Sequence, residues 1–321
     1  MREVAVARTS FLWLEITERC QLECRHCYAA SGPAGTHGAM TSSDWVRVLE
    51  EAADLGVGMV QFIGGEPTLH PDLAALIQHA LALDLTVEVF SNLVHITDEL
   101  WELFSRPGVS LATSYYSDDP AQHAAITGRP SQARTKANIA KALQRGISLR
   151  AGVIDLGGEQ RVTEAQAELV ALGVPSIGYD RLRQVGRGVA DQQPNVDQLC
   201  GQCGDGVAAI SPAGAVWPCV FSRWLPLGNV REQELAAILD GSAAHRVRAE
   251  LAQAFAGREP VTGPGARECP PTCNPCQPRC EPGCQPYCCN PAPCQPKCSP
   301  SCSPTCGPTL CQPRECWPPL K

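Results

Sequence analysis

The chain of 321 residues has no run of clustered lysine and arginine, no apolar stretch of 18 residues or more, and not one cysteine between Cys27 and Cys200. The first absence removes the clustered cations that non-specific nucleic-acid binding sets against phosphate, and a net charge of −7 points the same way. The second removes a transmembrane helix, and the opening Met1-Arg2-Glu3-Val4 lacks the apolar core of a secretory signal. No nucleic-acid partner and no membrane are therefore expected, and the cytoplasm is the expected compartment. The third absence sharpens the distribution of 19 cysteines: three at the front, three in the middle (Cys200, Cys203, Cys219) and 13 between Cys269 and Cys316. Without an export signal these read as metal ligands in a reducing compartment, not as a disulfide framework. With 44% apolar residues the chain can build one large α/β domain with a smaller appendage.

The front cysteines, Cys20, Cys24 and Cys27, stand as C-x3-C-x2-C directly after the apolar run Phe11 to Thr17. A [4Fe–4S] cluster normally takes four thiolates, so three on one short loop would hold the cube and leave one iron open to a substrate or cofactor. Zinc is the first alternative. His26 would complete a Cys3His set, although its place between two of the cysteines makes joint ligation awkward. Idle structural thiols are the second alternative.

Strand-like and helix-like runs alternate through the first two hundred residues, which argues for parallel βα units. The predicted strands are Phe11 to Thr17, Met59 to Ile63, Thr86 to Phe90, Val109 to Thr113, Ser148 to Ile154 and Ser176 to Arg181. Among the amphipathic stretches between them are Ser42 to Leu55, capped by Ser42 or Ser43, Leu73 to Leu83 behind Pro71, and Ser131 to Arg145, stopped by Gly146. Six such units make an open, partial (β/α)6 TIM-like barrel, in which ligands sit at the carboxyl ends of the strands. Gly64-Gly65-Glu66-Pro67 follows the second strand, Ser91-Asn92 the third, Ser114 the fourth and Val185-Gly186-Arg187-Gly188 the sixth. Each has a plain alternative: a tight turn for Gly64-Gly65, a helix start for Pro67, a turn or cap for Ser91-Asn92.

This combination resembles the radical S-adenosylmethionine (SAM) enzymes over roughly Phe11 to Phe255. The resemblance implies that Cys20, Cys24 and Cys27 hold a [4Fe–4S] cluster whose open iron binds SAM, and that an injected electron yields a 5′-deoxyadenosyl radical that takes a substrate hydrogen. It further implies that Gly64, Gly65, Glu66 and Pro67 meet the methionine amino group, that Ser91 and Asn92 meet the ribose or carboxylate, and that Ser114 belongs to the same site. Many relatives carry Asp where this chain has Tyr116. Arg150 is an odd charge within a strand, assigned either to the SAM carboxylate or to a solvated strand end. A low-potential flavodoxin- or ferredoxin-like electron donor is an implied partner. No catalytic residue is assigned; Tyr115, Tyr116 and Tyr179 are candidates to quench the product radical, with packing as the alternative.

In the middle, Cys200-x2-Cys203-x10-Gly214-x4-Cys219, with Ile210 to Cys219 as a hairpin, resembles the auxiliary-cluster extension called SPASM or twitch, found in radical SAM peptide maturases. A zinc knuckle is the alternative. The resemblance implies an auxiliary [4Fe–4S] cluster and a peptide substrate. A small-molecule substrate from cofactor biosynthesis and a non-catalytic iron–sulfur scaffold are the rival functions. Beyond a Gly/Pro-rich linker, Cys269 to Lys321 holds 13 Cys and 15 Pro in imperfect Cys-x-Pro-x tetrads, a composition that forbids helix and weakens any sheet. The predicted organisation is a radical SAM core at 1–190, an auxiliary iron–sulfur region at 191–256, and a linker with an irregular tail at 257–321.

Overall fold

The computed structural model describes residues 9–189 and 193–256. The Cys/Pro tetrads of the tail lie outside the described residues. The chain divides into two units, 1–177 with 181–257 and 178–180 with 258–321; only 178–180 of the second are described.

The elements run β1 (Phe11–Thr17), α1 (Ser42–Asp54), β2 (Met59–Gly64), α2 (Leu73–Ala82), β3 (Thr86–Phe90), α3 (Asp98–Phe104), β4 (Val109–Tyr115), α4 (Pro120–Thr127), α5 (Gln132–Gln144), β5 (Leu149–Asp155), α6 (Val162–Ala171) and β6 (Ser176–Arg181). After them come β7 (Val207–Ile210), β8 (Ala215–Trp217), β9 (Gly228–Asn229), α7 (Leu235–Leu239) and α8 (Ser242–Phe255). One nine-stranded sheet has the order β6-β5-β4-β3-β2-β1-β7-β8-β9. Strands β1 to β5 pair in parallel with their chain neighbours, the signature of βα units. The six units form the partial barrel that the sequence predicts.

Every residue of β1 is buried, as expected for a strand covered on both faces. Its outer neighbour is β7, in parallel register from Phe11↔Val207 to Leu14↔Ile210, so the extension continues the barrel sheet. The predicted Ile210 to Cys219 hairpin is present as antiparallel β7 and β8, with Gly214 at φ +85° in the turn. Helix α1 buries Trp45, Val48, Leu49 and Ala52, one stripe at helical spacing. Its cap is Thr41, not Ser42 or Ser43: Thr41 accepts from the Asp44 amide while Asp44 accepts from the Thr41 amide at 2.8 Å. The acid three residues on decides which hydroxyl caps, because only that spacing closes the reciprocal pair. Strand β4 runs through Tyr115, placing Ser114 inside the strand, because pairing with β5 continues through Ser114↔Gly152 and Tyr115↔Val153. Among the described residues no helix is long and apolar enough to cross a membrane.

Candidate functional site

Cys20, Cys24 and Cys27 lie on the long loop between β1 and α1, and all three line one cavity at the carboxyl ends of the strands. The loop is held by backbone bonds that its own sequence does not announce. Its Glu23 and Arg25 amides donate to the carbonyls of Thr127 (3.0 Å) and Ile126 (3.1 Å), at the end of α4. Gly128 ends that helix at φ +75°, and a side chain there would press on Glu23. Within the loop, the Cys27 amide donates to the Cys24 carbonyl (3.2 Å) and the Leu22 amide points at Cys20 Sγ (3.4 Å).

Of the residues predicted to meet SAM, Gly64, Gly65, Asn92 and Ser114 line the cavity. Glu66, Pro67 and Ser91 are buried behind its wall. Gly64 sits at φ +141°, and a Cβ there would overlap the Thr17 carbonyl. The Gly65 amide donates to the Thr17 carbonyl (2.6 Å) and the Glu66 amide to that of Arg19 (2.8 Å). The glycines therefore let β2 lie flat against the root of the cysteine loop. Glu66 is completely buried, and its carboxylate accepts from the Thr68 amide (3.1 Å), Thr68 Oγ1 (2.8 Å), Ser91 Oγ (2.8 Å) and the Asn92 amide (2.8 Å). Burial pushes its carboxyl up, while these donors hold it back. Ser91 thus serves Glu66, and Asn92 turns its side chain toward Cys20 Sγ (3.7 Å) and Gln21. Pro67 opens a single 3-10 turn, Pro67–Leu69.

Arg150 is neither a solvated strand end nor free for a carboxylate ligand. It forks onto Glu88 of β3, Nε to Oε2 at 2.7 Å and a terminal nitrogen to Oε1 at 2.6 Å, because that strand supplies a facing acid. Tyr115 is fully buried and accepts from Gln132 at 2.7 Å, which makes it a packing residue. Tyr116 lines the cavity, with the His26 ring edge-on to it at 4.8 Å.

The cavity wall combines apolar side chains with polar groups. His26 Nδ1 and Ser31 Oγ, both on lining residues, are buried without a hydrogen-bond partner. Burial drives the Cys20 thiol up to about 12 and raises that of Cys24, so these sulfurs ionise readily only against a metal centre. Among the described residues no three His, Cys, Asp or Glu side chains converge on a single ion, so a preformed Cys3His zinc site with His26 is not found. Three thiols spread around one cavity fit a larger cluster.

In the extension, Cys203 and Cys219 are buried with their sulfurs 3.0 Å apart, and contact with Cys200 and Cys219 raises the Cys203 thiol. The Cys219 amide donates to Ser222 Oγ (2.9 Å). Cys203 and Cys219 are thus brought together, with Cys200 beside Cys203. Sequence reasoning named Arg187 within the Val185-Gly186-Arg187-Gly188 motif without giving it a role, and passed over Arg223. Arg223 pairs with buried Glu15 of β1, and its guanidinium lies over the rings of Tyr28 (5.4 Å) and Trp217 (4.7 Å). Arg187 crosses to the cysteine loop; its only sequence signal was its place between two glycines.

Residues 14–164 match the model of the radical SAM superfamily, and residues 200–277 match that of the SPASM iron–sulfur cluster-binding domain. A PqqA peptide cyclase of Streptomyces rochei is 33% identical over 129 residues, 40% of this chain and 35% of that protein. One from Xanthomonas campestris pv. campestris is 28% identical over 280 residues, 73% of this chain and 74% of the relative. The chain thus spans about a third of the first relative's length and about three quarters of the second's. In fold it is similar to Streptococcus suis SuiB bound to S-adenosylmethionine, with a TM-score of 0.63 at 17% identity over 76% of this chain and 68% of that one. It is similar also to anSMEcpe with bound AdoMet and Cp18Cys peptide, with a TM-score of 0.57 at 13% identity over 74% and 81%. With a barrel, a three-cysteine loop and a cysteine-bearing extension matched in order along the chain, it carries a radical SAM domain over residues 14–164 followed by a SPASM iron–sulfur cluster-binding region over residues 200–277.

Proposed function

We propose that this chain is a radical SAM enzyme that modifies a ribosomally made peptide. The observation that carries the reading is the gathering of Cys20, Cys24 and Cys27 around one strand-end cavity with Gly64, Gly65, Asn92 and Ser114. Those three thiolates would hold a [4Fe–4S] cluster, and Cys200, Cys203 and Cys219 three corners of an auxiliary one. The cluster with SAM supplies, when bound, a 5′-deoxyadenosyl radical that abstracts a hydrogen atom from substrate.

The chain's own residues bind and orient. Asn92 and the Leu22 amide steady Cys20, and Glu66 freezes the Ser91-Asn92 turn from behind. Leu22, Ile63 and Phe90 provide apolar wall that keeps water from the reacting centre. Support for a peptide comes from the relatives' printed names, PqqA peptide cyclase, and from the similar SuiB structure bound to its precursor peptide SuiA. The SPASM match extends to residue 277 and so includes Cys269, Cys273 and Cys276, which would be candidates for further auxiliary ligands. A flavodoxin- or ferredoxin-like donor would deliver the electron, and the reducing cytoplasm is the compartment that suits thiolate metal ligands.

The test is an oxygen-free reaction of reconstituted protein with reductant, SAM and a precursor peptide encoded beside it. Production of 5′-deoxyadenosine by wild type, its loss in Cys24→Ala and a mass or retention change in the peptide are expected. Formation of 5′-deoxyadenosine with an unchanged peptide overturns the peptide assignment, and none at all with a full cluster overturns the enzyme.

A further inference from the structure

The turn after β6 is built to press on the cysteine loop. Gly186 takes φ +60°, and a Cβ there would overlap the Tyr28 carbonyl; one on Gly188 would meet the carbonyls of Arg183 (2.6 Å) and His26 (3.3 Å). Between these glycines, Arg187 reaches three carbonyls of the loop. Its amide donates to Cys27 (2.9 Å), its Nε to Cys24 (2.9 Å) and a terminal nitrogen to Ser31 (2.6 Å). The loop and Arg187 are separated by 163 residues between Cys24 and the guanidinium, so nothing local enforces this arrangement. The same side chain lines the cavity with the three cysteines.

Two consequences follow from chemistry. Carbonyls left unpaired around a ligand loop would let the sulfurs drift, whereas a planar guanidinium donates in two fixed directions that an ammonium cannot reproduce. A centre held by thiolates gains negative charge on reduction, and a fixed cation beside it favours the reduced form.

We propose that Arg187 is a positioning residue for the cluster: its three donors hold the cysteine loop in the ligating geometry, and its charge sets the cluster's reduction potential higher than the thiolates alone would. This rests on the reading of Cys20, Cys24 and Cys27 as cluster ligands.

The experiment compares reconstituted full-length wild type, Arg187→Lys and Arg187→Gln. Iron loss to a chelator is timed, and the potential is read by dithionite titration of the paramagnetic signal that changes when SAM is added, which separates this cluster from the auxiliary one. Arg187→Gln is expected to weaken iron retention about 10- to 100-fold and to move the potential to a more negative value. Arg187→Lys keeps the charge without the fork, so it loses iron faster while its potential stays close to wild type. Should Arg187→Gln not fold, the lysine variant alone decides: retention equal to wild type overturns the clamp. Potentials unchanged in Arg187→Gln overturn the electrostatic half. If wild type binds no SAM-responsive cluster, the ligand assignment itself fails, a result distinct from either.

Discussion

Replacing Arg223 with methionine keeps much of the side chain's bulk and apolar stem but strands the carboxylate of Glu15, which is 1% exposed in the centre of β1. The pair joins positions 208 residues apart, the first strand of the barrel and the segment after Cys219. Removing one partner of a buried pair costs about 3–5 kcal/mol because the remaining charge has no solvent to return to. Loss of the guanidinium from over Tyr28 and Trp217 adds roughly 1–2 kcal/mol. Relief comes from protonation: burial already raises the Glu15 carboxyl, and the folded protein therefore binds that proton more readily than the unfolded chain. The deficit of Arg223→Met is then largest near neutral pH and shrinks as pH falls through the folded value. Urea unfolding of the apo protein at pH 8 and pH 5 measures both quantities. Glu15→Leu combined with Arg223→Met removes both charges and should recover a few kcal/mol relative to the single variant, since an apolar pair of similar volume is tolerated. A loss below about 1 kcal/mol, equal at both pH values, with no recovery in the double variant, would refute the reasoning.

Three further outcomes can be checked. Gly64→Ala should lower stability by about 2–4 kcal/mol, from the φ of +141° and the collision with the Thr17 carbonyl, and thermal unfolding would show it. Glu66→Ala strips the acceptor from two amides and two hydroxyls, and calorimetry should register a loss of roughly 3 kcal/mol; Glu66→Gln, which keeps one acceptor oxygen, should lose less. Burial, with His37 adding to it, depresses the His70 imidazole from 6.5 to about 4. The unfolded chain therefore takes up this proton first, stability falls as pH drops from about 6.5 toward about 4, and His70→Asn should flatten that part of a stability-versus-pH curve.

The parts of the fold that read correctly are those with a local cause. β1, β3 and β6 begin and end where the sequence places them, and the hairpin around Gly214 follows from one positive-φ position. Strand ends set by pairing were misjudged: β4 outruns its apolar run because β5 keeps offering partners to Ser114 and Tyr115. The motif at Gly64 to Pro67 was found, but not its division of labour. Whether a residue faces a cavity, as Gly65 does, or props a wall, as Glu66 does, depends on what the neighbouring strand brings against it.

By itself the amino-acid order determined the chemistry on offer: three thiols on one short loop, three more around a hairpin, and alternating βα units to carry them. Tertiary structure alone decided that β7 completes the sheet beside β1, that Arg150 answers Glu88, and that Arg187 and Arg223 reach back to the residues around the first cysteine loop. The physical reason is range. Periodicity and turn residues act over a few positions and leave a trace in sequence, whereas a hydrogen bond across 163 residues or an ion pair across 208 exists only once the barrel has brought its ends together.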